Sequence, residues 1–263
     1  MKKDIRMTNK DILKIALEQS AEDIGCKAED FLAVDNRLVE HKLGANAKSY
    51  YELPIGSSFI SYGNNVVAAA TKELSTIVGE YINRFDFAHC FETPNIRWLN
   101  KRIEPLGQTV CFMAEYYLPD LAILKERPTG YELRALEKEQ FQDLYLPEWS
   151  NALCSNRKEL DVLAAGAYDG DKLVGLAGCS ADAGKMWQIG VDVLPDYRRQ
   201  GIASALTSRL ALEILDRGKV PFYCTAWSNL RSVRNAVKCG FIPAWVEMTV
   251  KPVEEVDKMN KED

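Results

Sequence analysis

The stretch Val191-Asp192-Val193-Leu194-Pro195-Asp196-Tyr197-Arg198-Arg199-Gln200-Gly201-Ile202-Ala203-Ser204 decides the reading of this chain. Trp187 to Leu194 is a strand pattern, ended by Pro195. Ile202, Leu206, Leu210 and Ile214 then fall at four-residue steps, which predicts an amphipathic helix that Gly218 and Pro221 stop. Between strand and helix stands the turn Arg198–Ala203. A helix start leaves backbone N–H groups without partners and carries the positive end of the helix dipole. Gly201 lets the chain turn tightly and lets a ligand approach the backbone, and Ala203 keeps the next position small. Ser204 adds a hydroxyl, and Arg198 and Arg199 can meet phosphate charge. Together these features predict an anion site of the kind that holds a pyrophosphate.

Working outward from this turn, Tyr131 to Leu136 reads as a strand and Glu139 to about Cys154 as a helix. Val162 to Tyr168 and Lys172 to Cys179 are strands joined across Asp169-Gly170-Asp171, a hairpin signal. Downstream, Phe222 to Ala226 is a strand, Ser228 to Cys239 a short helix, and Trp245 to Val250 a last strand. The expected order β-α-ββ-β-α-β-α-β is α/β (α+β) in class.

In the first half, Thr8 and Asp11 signal a capped short helix through Leu17, and Lys72 to Phe85 a second one capped by Thr71. Gln108 to Leu118 reads as a strand. The proline-bearing passage from Pro119 to Gly130 is the best linker. These signals divide the chain into an N-terminal α/β subdomain at 1–127, a second domain at 128–251 and a charged tail at 252–263.

The turn and its surroundings resemble the GNAT superfamily of N-acetyltransferases. The pyrophosphate loop of that family follows Arg/Gln-x-x-Gly-x-Gly/Ala, matched here by Arg198, Gly201 and Ala203. A second family element is an Asn, a small residue three positions on and Gly-Phe eleven positions on. Asn229, Ser232, Gly240 and Phe241 fill it in WSNLRSVRNAVKCGF. The resemblance covers about Tyr131 to Val250 and implies a mixed central sheet flanked by helices. It also implies direct transfer of acetyl from acetyl-CoA to a primary amine. By that resemblance the backbone of Arg199, Gln200, Gly201, Ile202, Ala203 and Ser204 would hold the pyrophosphate of coenzyme A. Val191 and Val193 would pair with the pantetheine arm, and Asn229 and Ser232 would contact the pantetheine or phosphate region.

The match fails at proton transfer. The position seven residues after the motif asparagine, a tyrosine in many members, is Ala236, and the strand position of a glutamate base in histone-type members is Trp187. Cys224, on the neighbouring strand, and Asp192 are the remaining catalytic candidates. Strand alternation points Asp192 away from the face of Val191 and Val193. Glu148, Asn151 and Asn156 fall where substrate-lining helices lie in the family, and no general base is singled out.

Two further signals concern the first half. HCFETPNIR (89–97) parallels YCTAWSNLR (223–231), and each is followed by a glycine and a strand, which suggests a degenerate half-copy that lost its phosphate loop. Such a half would cover the acceptor cleft. The family also places two strands after Gly-Phe where this chain shows one, so the N-terminal part is expected to supply or cover that sheet edge.

Composition bounds the rest. The 263 residues carry a net charge of −5, which argues against nucleic acid and suits a cationic small-molecule amine. No run approaches the ~20 apolar residues of a membrane span. No apolar segment follows the initial charges, so no secretory signal is expected. Seven cysteines without a Cys-x-x-Cys pair suggest reduced thiols in a cytoplasm, and with two histidines no metal site is expected. The competing readings are a non-catalytic acyl-CoA-binding regulatory module and an acetyltransferase acting on a protein amine. Monomer and homodimer both stay open.

Overall fold

The structure is a computed structural model that describes residues 7–48 and 55–260. In chain order the elements are α1 (Asn9–Ile24), β1 (Arg37–Glu40), β2 (Ser57–Ser61), β3 (Val67–Ala70), α2 (Ser75–Arg84), α3 (Thr93–Ile103) and β4 (Gln108–Pro119). Then follow β5 (Glu132–Glu137), β6 (Asp161–Asp169), β7 (Lys172–Ser180), β8 (Met186–Val193), α4 (Ile202–Asp216), β9 (Val220–Thr225), α5 (Leu230–Cys239), β10 (Phe241–Pro252) and α6 (Val253–Met259). The class is mixed α/β, as the element order predicts, with mixed strand pairing and flanking helices, as the resemblance implies. By contact density the chain forms two compact units, discontinuous in sequence: Met1–Ile15 with Tyr117–Pro243, and Ala16–Tyr116 with Ala244–Asp263.

In the first unit the strand order is β9-β8-β7-β6-β5. All neighbours are antiparallel except β8 and β9, which run parallel. The hairpin turns at Gly170-Asp171, with Asp169 facing Lys172 and Gly170 at φ 60°. One face of the sheet is covered by α4 and α5. Ile202, Leu206, Leu210 and Ile214 are fully buried against Ala165, Val174, Ala177, Ile189 and Tyr223. Four such side chains, at about 1.5–3 kcal/mol each, make α4 the main fastening of this face.

The other face differs from the expected pattern. Residues 139–154 do not form an α-helix. They make short 3-10 turns at Lys138–Gln140, Gln142–Leu144 and Pro147–Trp149, with a further one at Ser155–Arg157. Pro147 has no N–H to give to a helix and disfavours α geometry before it. Glu137 and Gln140 form a capping box that starts a turn. Phe141, Trp149, Ala152 and Leu153 still bury themselves against Leu136, Ala164 and Leu176, so the apolar content does its packing without helical form.

In the second unit the strand order is β1-β3-β2-β10. β2 lies antiparallel to β10, with Val246 opposite Ser61 and Val250 opposite Ser57, so a strand from the first half of the chain covers the edge of the last strand. α2 and α3 pack on this sheet through Val78, Tyr81, Ile82, Leu99 and Ile103. Two helices depart from the sequence reading, one at its end and one at its start. Thr8 and Asp11 do cap α1 reciprocally, but the helix continues to Ile24. Thr71 caps nothing: α2 begins at Ser75, after a turn in which Leu74 N donates to Thr71 O. The C-terminal passage, expected as a plain tail, contains α6.

The two stretches that suggested a half-copy share one local feature and differ in the rest. Gly107 and Gly240 both end helical segments in the left-handed region and lead into strands. Cys90, however, closes a 3-10 turn, whereas Cys224 lies on β9. No strand separates α2 from α3, so the strand-helix unit at Tyr223–Gly240 has no counterpart at His89. His89 itself is exposed and bonded to Glu92.

Inside the second unit, Lys48 and Asp23 form an ion pair at 2.5 Å with both side chains essentially unexposed. Asp23 also accepts from Gln19 and from the Lys48 amide. Beside the pair, Trp245 is stacked between Tyr62 (5.5 Å, 20°) and Tyr116 (4.6 Å, 11°).

Candidate functional site

The site is built where β8 and β9 part. Their parallel ladder runs from Met186 opposite Val220 to Ile189 opposite Tyr223 and ends there. β8 nevertheless continues to Val193 and β9 to Thr225. On its other side β8 stays paired with β7 through Val193 opposite Gly175, and Leu194 N donates to Val174 O. In an antiparallel ladder the backbone groups that face the partner alternate along the strand. Since Leu194 faces β7, so do Asp192 and Gly190, and the backbone N–H and C=O of Val191 and Val193 face the gap. The gap-facing edge spans about 13 Å of strand. One of its acceptors is already used: Arg198 Nε donates to Val193 O at 3.0 Å.

The turn at the end of this edge has the geometry of an anion cradle. Arg199 stands at φ 66°, the one non-glycine residue in the left-handed region among the described residues, and Gly201 stands at φ 84°. Gly201 caps α4 without a side-chain cap, and the first helical bond is Ala205 N to Gly201 O. The amides of Ile202, Ala203 and Ser204 precede that bond, so they are left for something other than the helix. The loop is held from outside. Tyr131 Oη donates to Gln200 Oε1 at 2.6 Å, Tyr197 Oη donates to Asp169 Oδ2 at 3.0 Å, and the two tyrosine rings meet edge to face. Arg198, Arg199 and Gln200 are exposed, while Ile202 and Ser204 are buried.

Asp192, on the opposite face, is fully engaged. Its Oδ2 accepts from Asn151 N (2.8 Å) and Ala152 N (2.9 Å), and its Oδ1 accepts from Asn151 Nδ2 (2.7 Å). The segment so held lies directly on the sheet. A Cβ on Gly190 would come within 1.8 Å of Asn151 O, and one on Gly178 within 2.1 Å of Ala152 O. These two positions must be glycine for the segment to rest there. Asn151 is therefore brought to the site, whereas Glu148 and Asn156 are exposed on the same segment.

The segment has a second anchor. Asp161 Oδ2 accepts from Cys154 N (2.9 Å) and from Tyr145 Oη (3.2 Å), and Arg157 pairs with Asp182. Burial pushes the Asp161 carboxyl up to about 6, with the charge of Asp182 adding to the rise and Cys154, Tyr145 and Arg157 opposing it. No sequence signal pointed to Asp161 or Asp182, because neither stands in a motif and their partners lie 7 to 25 residues away.

On β9, Cys224 is the first residue beyond the paired ladder and is half-buried. By alternation it faces away from Tyr223, on the side of Asp192. Tyr223, absent from the sequence candidates, is buried among Ile189, Ile202, Leu206 and Ala236. Its hydroxyl lies 2.9 Å from Ser232 Oγ. Asn229 caps α5 by accepting from Ser232 N at 3.3 Å. Trp187 is half-buried with Lys219 Nζ 5.8 Å from its ring centroid. All seven cysteines are free thiols. Among the described residues no three His, Cys, Asp or Glu side chains gather at a cation site, and no helix is long and apolar enough to cross a membrane.

No curated protein matches the chain. Among solved structures, the chain is similar to a putative GNAT-family acetyltransferase of Novosphingobium aromaticivorans (19% identity, 55% of this chain and 66% of that one, TM-score 0.44). It is also similar to a GCN5-related N-acetyltransferase-like protein of Streptococcus suis (19% identity, 74% and 83%, TM-score 0.46). A GCN5-related N-acetyltransferase of Kribbella flavida is a third (14% identity, 76% and 88%, TM-score 0.48). The sequence model of the GNAT acetyltransferase family matches residues 112–244, half of the chain and the whole of the parted strands, the cradle and both motifs. The chain belongs to the GNAT acetyltransferase family.

Proposed function

We propose that this protein transfers acetyl from acetyl-CoA directly to a primary amine of a small molecule. One observation carries the reading: the backbone edge of Val191 and Val193 is open to the β8–β9 gap and leads into the unpaired amides of Ile202–Ser204. An extended amide-bearing arm that ends in a pyrophosphate needs that sequence of partners, first a strand-like edge and then an anion cradle. The amides of residues 199–204 and the guanidinium groups of Arg198 and Arg199 take the pyrophosphate. The outward groups of Val191 and Val193 take the arm, and Arg198 Nε gives up Val193 O as it turns to the phosphate. Asn229 and Ser232 flank the arm at the start of α5.

Acetyl-CoA supplies the activated acyl group. The chain supplies proximity, an N–H to polarise the acyl carbonyl from the open edge, and exclusion of water. Asp192 acts as a positioning residue, since its carboxylate is spent on Asn151 and Ala152. Cys224 lies on the acceptor face of the gap and lines it. The net charge of −5 favours a cationic amine as acceptor.

The test is calorimetric titration with acetyl-CoA, followed by thiol release against a panel of small amines and amine-bearing peptides. The double variant Arg199→Ala, Gly201→Asp is expected to lose at least about tenfold in acetyl-CoA affinity, the scale of one or two charge-assisted bonds. Unchanged affinity in that variant sinks the cradle. Tight binding with no thiol release on any amine supports the regulatory module instead.

A further inference from the structure

At the apex of the β8–β9 gap stands a buried phenol that no motif contains. Tyr223 is the last β9 residue of the ladder, opposite Ile189. It is 4% exposed, and its ring lies in the same apolar cluster as Ala236, which is fully buried. The face of α5 toward the phenol therefore carries a methyl group at 236 and a hydroxyl one turn earlier at Ser232. Tyr223 Oη and Ser232 Oγ are 2.9 Å apart, and either can donate. On the same helix, Asn235 Nδ2 donates to Thr207 Oγ1 at 3.0 Å. Among the described residues no acidic side chain is hydrogen-bonded to the phenol. Burial raises it above its ordinary value, and the charge of Asp192 adds to the rise, while Ser232 and Asn235 oppose it. At neutral pH it is a protonated donor that can accept from Ser232 and still offer its own hydrogen.

We propose that Tyr223 is the proton donor to the sulfur that leaves the acyl group, with the half-buried Ser232 hydroxyl as its link to solvent. The inference rests on the acetyl-CoA reading above. In the step, the amine lone pair forms the new C–N bond and the C–S bond breaks with its electron pair on sulfur. The phenol proton passes to that sulfur. The phenolate recovers a proton through Ser232 Oγ, and the proton that the amine loses balances it. No further reactant is needed. A donor at the leaving atom is what a thiolate gains most from in a dry site. The position fits: β8 and β9 hold a chain between them only beyond Ile189 and Tyr223, so the innermost atoms of an inserted arm meet Tyr223.

The experiment needs no acceptor. Coenzyme A with its free thiol and S-methyl-coenzyme A are titrated into wild type, Tyr223→Phe and Ser232→Ala. The ionisation of the bound thiol is followed by thiolate absorbance from pH 6 to 10. A donor that stabilises the thiolate lowers the pH at which the bound thiol ionises. Tyr223→Phe is expected to raise that pH by about one unit, a tenfold drop in thiolate fraction at a fixed pH between the two values. Ser232→Ala, which retains the phenol, is expected to raise it by less. Affinity for S-methyl-coenzyme A is expected to stay within about twofold in Tyr223→Phe, because the ring and its packing are kept.

Thiol ionisation at the wild-type pH in both variants overturns the proposal and leaves the cofactor reading standing. Equal loss of both ligands in Tyr223→Phe also overturns it, since that marks a structural role. A wild-type protein that binds neither ligand overturns both.

Discussion

Asp161 shows how a single buried carboxylate sets a pH dependence. Its carboxyl is pushed up to about 6, above the ordinary value of about 3.9. The folded state therefore holds this proton more tightly than the unfolded chain. The stability it contributes is complete below pH about 4 and is lost as the pH rises through about 6, on the order of 2 kcal/mol. Asp161→Asn keeps an oxygen for Cys154 N and Tyr145 Oη and removes the charge. Denaturation midpoints of that variant are expected to match wild type at pH 4 and to exceed it at pH 8. A variant with the wild-type slope would contradict this. Lys48 and Asp23 obey a different rule. Breaking a buried pair on one side leaves an uncompensated charge, so Lys48→Met is expected to destabilise by about 3–5 kcal/mol and Lys48→Met with Asp23→Leu by much less. Urea unfolding of the two variants compares them directly.

At the scale of elements, the parted strands are prepared by what lies on each face. α4 clamps one face through Ile202, Leu206, Leu210 and Ile214, and Leu206→Ala is expected to cost about 2–5 kcal/mol in thermal unfolding. The other face depends on Gly178 and Gly190, where Asn151 O and Ala152 O rest. Gly190→Ala forces that segment off the sheet and strains the Asp192 bonds. The expected cost is about 1–3 kcal/mol, with faster proteolysis between residues 146 and 157 as the local signature. The strand, turn and α4 were legible in the residues because their periodicity is strong and local. The residue 139–154 segment was not, because its apolar spacing fits a helix and only Pro147 and the close sheet contact break it into 3-10 turns.

At the scale of the molecule, neither unit is a continuous piece of chain. The unit with the cradle includes Met1–Ile15, and the other takes Ala244–Asp263 from the far end. A cut at residue 127 deprives the second unit of β10, which is the partner of β2, and the first unit of its N-terminal residues. Fragments 1–127 and 128–263 are therefore expected to lack cooperative unfolding when made separately, with near-ultraviolet circular dichroism as the measure. A sharp transition in either one would refute this. The interleaving escaped the sequence reading because strand pairing between residues ~190 positions apart leaves no periodic trace.

What the sequence determined by itself is the strand-turn-helix unit around Gly201 and the family. Arg198, Gly201 and Ala203 before an amphipathic helix, with Asn229, Ser232 and Gly240-Phe241 at fixed spacing, are local chemistry, and local chemistry survives in a linear string. Tertiary structure alone decided which groups are spent on other partners and where the gap begins. It turned Asp192 toward Asn151 and Ala152, ended the β8–β9 ladder at Tyr223, and placed that phenol beside Ser232 and Ala236. The physical reason is that hydrogen bonding and burial are properties of neighbours in space. Tyr223 was an ordinary strand residue until packing gave it its neighbours.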